Sequence, residues 1–124
     1  MVSPVGYRNP ALLARMAASL DHISGGRMNF GFGAGGFRPE YQKYGFEFIE
    51  KGSIRLAQMK EAMQLILGLW THPRFTFQGR YFHVEDAILE PKPLQKPHPP
   101  ERMDEIFQQL VMPGVSSFLE DRII

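Results

Sequence analysis

No cysteine occurs in the 124 residues, so disulfides, thiol catalysis and thiolate metal sites are excluded at the outset. Neither charge dominates: 14 Lys and Arg stand against 13 Asp and Glu, a net charge of +1. That balance is at odds with a polybasic nucleic-acid binder and with an acidic disordered tail. No apolar run approaches the ~18 residues of a membrane span, and no basic-then-apolar signal segment opens the chain. The 12 glycines and 10 prolines are many, yet together they stay below the ~25–30% of disordered chains. With 44% hydrophobic and 22% charged residues, the composition is that of a globular domain. The expectation is a soluble, cytoplasmic protein of one-domain length, with neither nucleic acid nor membrane as partner.

Helix signals come first along the chain. Asn9-Pro10 opens one: Asn accepts a bond from an orphan backbone N–H, and Pro at the first helical position gives up no hydrogen bond. Leu12, Leu13, Met16, Ala17 and Leu20 recur at helical spacing, and Gly25-Gly26 stop the run, which predicts a helix over 10–23. Met28, Phe30 and Phe32 alternate with Asn29, Gly31 and Gly33, the period of a strand, with a second strand expected at 1–5. A helical turn fits Pro39–Tyr44. Ser53 is positioned to cap a helix over 54–70, whose stripe runs through Leu56, Met59, Met63, Ile66 and Trp70. Phe75–Phe77 and Arg80–Val84 read as a hairpin turning at Gly79. Five prolines between Pro91 and Pro100 impose an extended connector or, alternatively, a polyproline recognition ligand. Met103, Ile106, Phe107 and Leu110 then suggest a short amphipathic helix before Pro113-Gly114.

Few residues carry a chemical signature. The histidines at 22, 72, 83 and 98 have no metal-ligand spacing, so no metal site is expected. His22 suits the end of its helix as a dipole partner, Glu85-Asp86 suit a solvated surface, and no G-x-S-x-G elbow is present. What remains is Gly33-Ala34-Gly35-Gly36, directly after a strand, where converging backbone N–H groups suit an anion. From Gly31 the run fits the bare G-x-G-x-x-G pattern, but its first glycine lies in the strand and Pro39 follows too soon for a dinucleotide fingerprint. No G-K-[ST] follows, so it is not a Walker loop. A plain tight turn and a phosphate site both fit. Arg38 would add positive potential.

The run Y-R-N-P-A-L-L-A-R-M-A-A-S-L-D-H-I-S-G-G-R-M-N-F-G-F-G-A-G at 7–35 resembles the luciferase-like monooxygenase family. So do the glutamate and glycine of P-E-Y-Q-K-Y-G, the L-W at 69–70, F-Q-G-R-Y-F at 77–82 and P-K-P-L-Q-K-P-H-P-P at 91–100. The resemblance implies an α/β fold, here a partial (β/α)₈ TIM barrel of the bacterial luciferase-like type, with the site at the C-terminal ends of the strands. It implies an oxidoreductase or monooxygenase acting on a small organic substrate. The cofactor would be FMN, reduced and used with oxygen, or a deazaflavin coenzyme of the F-420 type used for hydride transfer. By the same resemblance Gly33, Ala34, Gly35 and Gly36 hold the cofactor phosphate, and Ser3 and Val5 lie against the ring. Asp21, His22 and Arg27 fall at the opposite face as structural residues. Flavin-dependent relatives often carry an arginine between the loop glycines. Ala34, a small residue, resembles the deazaflavin branch.

The chain departs from the family in length, since a full barrel takes about 250 residues. Residues 1–100 correspond to a central barrel segment, the family's first two strands having no counterpart. No strand is expected after Pro100; 101–124 instead loosely resembles the family's last helix. No catalytic acid or base is named. Bare strand edges and apolar helix faces predict a homo-oligomer, through exposure of Leu12, Met16, Leu20, Met59, Met63 and Ile66. Two other readings stay open: a catalytically inactive remnant or self-associating scaffold, and an interaction module built on the proline-rich stretch.

Overall fold

The fold is described by a computed structural model covering residues 3–103. A two-residue strand β1 (Ser3–Pro4) leads through a 3₁₀ turn (Val5–Tyr7) into α1 (Pro10–Ile23), followed by β2 (Phe30–Gly33). Then come α2 (Arg38–Tyr44), α3 (Gly52–Thr71), the strands β3 (Phe75–Gln78) and β4 (His83–Ala87), and β5 (Glu101–Met103). β2 lies between β1 and β5, parallel to both, with Ser3 beside Phe32 and Phe30 beside Glu101. Parallel neighbours joined through helices are the repeating unit of a (β/α) barrel. β3 and β4 pair antiparallel as a separate ribbon inserted before β5.

The start of α1 forms as its sequence dictates: the Asn9 side chain accepts from the backbone N–H groups of Ala11 and Leu12 at 2.9 and 3.2 Å. Its end follows too, with Gly25 and Gly26 both left-handed at φ +70° and +81°. The buried face is another matter. Leu13, Ala14, Ala17 and Ala18 face the core, whereas Leu12, Met16 and Leu20 are exposed. Small residues win because α3 comes close: the Trp70 indole N–H donates to the Ala14 carbonyl at 3.0 Å. Conversely Met59, Met63 and Ile66, expected to be exposed, are buried in the core that α3 forms with α1. The helices cover each other, which corrects that half of the exposure argument.

Trp70 is the hinge of the core, meeting Phe30 of β2 edge-on at 5.2 Å and the His98 ring at 6.1 Å. Gly68, lying just before it in α3, lets the next strand dock. A Cβ there would fall 2.0 Å from the Phe75 ring.

Four further expectations are corrected. α3 begins at Gly52 after Lys51, with no side-chain cap; Ser53 lies inside it, and Arg55 ties the entry by donating to the carbonyls of Ile49 and Glu50. β2 begins at Phe30 rather than Met28. The hairpin turn runs from Gly79 to Phe82, so Glu85 and Asp86 stand within β4, not after it. A strand does follow Pro100: the Phe30 N–H donates to the Pro100 carbonyl at 2.8 Å and β5 continues along β2. Glu101-Arg102-Met103 carries no strand pattern; the open edge of β2 imposes the conformation. The helix expected beyond Met103 lies outside the described residues.

The proline-rich stretch is a strap, with cis peptides before Pro91 and Pro97. Pro93 and Pro99 are buried, Lys92 donates to the Leu69 carbonyl at 2.8 Å, and His22 donates to the Lys92 carbonyl at 2.7 Å. It is a docked connector. Among the described residues no helix is long and apolar enough to cross a membrane.

Candidate functional site

β1 and β2 run parallel and in register, so both chains leave the sheet at the same end. The segment after β1 and the loop 33–36 therefore emerge side by side, with Pro4 beside Gly33. In this way tertiary pairing brings together the two groups of residues the sequence singles out. Ser3 is half-buried, and its hydroxyl accepts from Arg8 at 3.3 Å. Val5 is 4% exposed and its side chain belongs to the core, so it offers the loop side only its backbone.

Within the loop the four residues differ. Gly33 is buried at the end of β2, and Ala34 packs its methyl against the core. Gly35 is left-handed at φ +78°, and a Cβ there would fall 1.9 Å from the Tyr41 hydroxyl and 3.4 Å from Pro4 Cβ. Gly36 is exposed, with nothing within 4 Å of its Cβ position. One glycine is thus demanded by the fold, while the other opens onto free space. Phe30 faces the helices through Trp70, and Phe32 stacks beside it on the same face. Gly31 and Gly33 alternate with these phenylalanines, so the other face of β2 is bare of side chains.

Beneath the loop lies an aromatic cluster that sequence reasoning passed over. Tyr41 of α2 meets Tyr7 edge-on at 5.1 Å and Phe48 at 5.0 Å, and Tyr7 stacks on Phe46 at 4.6 Å. The Arg55 and Arg38 guanidinium groups lie 4.7 and 5.4 Å from the centre of the Phe48 ring. Arg38 is also paired with Glu50, so its charge is partly answered before it reaches the loop. The Tyr41 hydroxyl is buried without a hydrogen-bond partner, and burial pushes its pKa up. The one available sequence signal is a tyrosine two residues after Pro39, between glycines at 35 and 45.

At the opposite end of β2, Asp21, His22 and Arg27 hold the α1 exit and the strap. Asp21 is fully buried and binds Gln95, while Arg27 donates to the Ser24 carbonyl at 2.6 Å. Among the described residues no cluster of three or more His, Asp or Glu is placed to hold a metal ion.

The residues present suit a phosphate-bearing group. Backbone at Gly36 is open to approach, and an orphaned hydroxyl stands at loop level. The sequence profile of the family described as luciferase-like monooxygenase matches residues 1–103. The chain is similar to the FMNH(2)-dependent dimethylsulfone monooxygenase of Pseudomonas putida, 36% identical over 103 residues, covering 83% of this chain and 27% of that protein. It is similar to the pyrimidine monooxygenase RutA of Stutzerimonas stutzeri (strain A1501), 38% identical over 88 residues, 68% of this chain and 24% of the relative. Among solved structures, an F420-dependent secondary alcohol dehydrogenase in complex with an F420-acetone adduct superposes with a TM-score of 0.70 at 28% identity. That match covers 82% of this chain and 30% of the other. The chain spans about a quarter of the length of the curated relatives it matches.

Proposed function

The chain belongs to the luciferase-like monooxygenase family, and from that premise we propose that it serves an oxidoreductase acting on a small organic substrate, its 33–36 loop holding the phosphate of reduced FMN or of a deazaflavin coenzyme. The observation that carries this reading is the loop itself, where a left-handed Gly35 and an open Gly36 stand at the shared exit of two parallel strands. Gly33, Ala34, Gly35 and Gly36 would present backbone to the phosphate; Ser3 and the Val5 backbone would border the ring. When bound, the group supplies oxygen activation in the flavin case and hydride transfer in the deazaflavin case, while the protein binds and orients. Glycines at 31 and 33 put no side chain of β2 between the strand and a ring lying on that face. Relatives named for FMNH(2) support the flavin branch, and Ala34 supports the deazaflavin one.

Titration of the purified chain with FMN and with the deazaflavin, followed by absorbance and fluorescence, tests the proposal. Saturable binding of either supports it. Binding of neither leaves the inactive remnant as the better account.

We also propose self-association through α1, where Leu12, Met16, Leu20 and Ile23 lie on one face and Leu12, Leu20 and Ile23 are 52%, 52% and 81% exposed. Sedimentation velocity should give a dimer or larger species that Leu12→Glu with Leu20→Glu converts to monomer. A monomeric parent chain at micromolar concentration would overturn it.

A further inference from the structure

Tyr41 lies within α2, its ring wedged between Gly6, after β1, and Gly35 in the loop. A Cβ on Gly6 would meet the ring at 3.1 Å. A Cβ on Gly35 would fall 1.9 Å from the hydroxyl oxygen, close to the place where the hydroxyl of a serine at 35 would lie. The tyrosine thus brings to loop level, from a neighbouring element, the polar atom that the glycine lacks. The residue is 3% exposed, and the rings of Tyr7 and Phe48 stand against it edge-on. The oxygen is therefore fixed in place. Burial keeps the hydroxyl protonated at neutral pH, hence a donor. A buried donor without an acceptor is uncommon in a folded protein and demands an explanation.

We propose that Tyr41 is a binding residue of this site, its hydroxyl donating a hydrogen bond to an anionic oxygen of the phosphate class seated on the 33–36 loop. The inference rests on the reading of that loop as a cofactor phosphate site. It adds a residue outside the loop, and it explains why Gly35 has no side chain: the donor occupies its volume.

Tyr41→Phe removes one oxygen and keeps the ring. Three probes are titrated against the full chain and the variant: FMN, riboflavin (the same ring system without phosphate) and inorganic phosphate. FMN affinity should fall about tenfold or more in the variant, as expected for a hydrogen bond to a charged acceptor. Riboflavin affinity should not change, and the rise in Tm caused by phosphate should disappear. The unliganded variant should melt no lower than the parent, because it loses an unsatisfied donor. Equal losses for FMN and riboflavin, or a lower Tm without ligand, would show a purely structural ring and overturn the proposal. Unchanged FMN affinity would show a hydroxyl satisfied by water and would overturn it as well. If the parent binds phosphate but neither flavin, the cofactor reading fails alone, and loss of phosphate binding in Tyr41→Phe still supports the tyrosine. A parent that binds none of the three overturns both.

Discussion

Asp21 and Gln95, seventy-four residues apart, are joined twice: the Gln95 backbone N–H donates to one carboxylate oxygen at 2.9 Å and its side-chain amide to the other at 2.7 Å. The same amide donates to the Met28 carbonyl at 2.7 Å, so one glutamine closes the α1 exit, the approach to β2 and the proline strap together. Burial by itself would raise the Asp21 pKa, but the Gln95 hydrogen bonds favour the carboxylate and hold it below the usual value.

A carboxylate whose pKa is lowered by folding stabilises the fold above its unfolded pKa of ~3.9, and that contribution disappears as pH falls through the lower folded value. Asp21→Asn should therefore cost about 1.5–3 kcal/mol at neutral pH, the range for a hydrogen bond to a charged group. It should also flatten the acid limb of the stability curve, as read by thermal melts from pH 7 downwards. A variant that keeps the parent's full acid dependence would show that other carboxylates set it.

Glu61 of α3 accepts from three successive backbone N–H groups, those of Arg80, Tyr81 and Phe82, the last two at 2.8 and 3.1 Å. This one side chain binds the hairpin turn to the helix. Glu61→Ala leaves those donors to water and should cost about 1–3 kcal/mol. Amide hydrogen exchange should speed up at 80–82 and across β3 and β4 before it does in α1. Uniform acceleration across the whole chain would contradict a local anchor.

Gly68 admits the Phe75 ring where a Cβ would stand 2.0 Å away. Gly68→Ala improves helix propensity by roughly 1 kcal/mol, yet the ring must move, an overpacking cost of typically ~1–3 kcal/mol. Net destabilisation is expected, measured by urea denaturation, and Phe75→Ala in the same chain should make Gly68→Ala harmless or favourable. Additive effects in that double mutant would disprove the clash.

The two loop glycines should separate fold from ligand. Gly35→Ala combines a left-handed backbone with a collision at the Tyr41 hydroxyl, so it should lower Tm by several degrees. Gly36→Ala meets nothing within 4 Å and should leave Tm unchanged while weakening FMN or deazaflavin binding. Intact binding in a stable Gly36→Ala chain would remove that position from the site.

The sequence by itself determined what is local. Asn9-Pro10 and Gly25-Gly26 bound α1 because capping and left-handed backbone are satisfied within a few residues. The loop at 33–36 was legible for the same reason, since a glycine run after a strand pattern restricts its own backbone. Tertiary structure decided everything that depends on who stands opposite. In α1, Leu13, Ala14, Ala17 and Ala18 are buried while Leu12 and Leu20 are exposed, because α3 packs on that side with Trp70 bonded to the Ala14 carbonyl, and periodicity cannot say which stripe a partner will approach. β5 exists because β2 had an open edge, although Glu101-Arg102-Met103 has no strand pattern of its own. Tyr41 meets the loop only through space. Its neighbours Gly6 and Gly35 are 35 and 6 residues away, and no motif links a helical tyrosine to a missing side chain in a loop. Hydrogen-bond caps and glycine torsions act over one turn, whereas packing and orphaned donors are settled by contacts that only the folded chain creates.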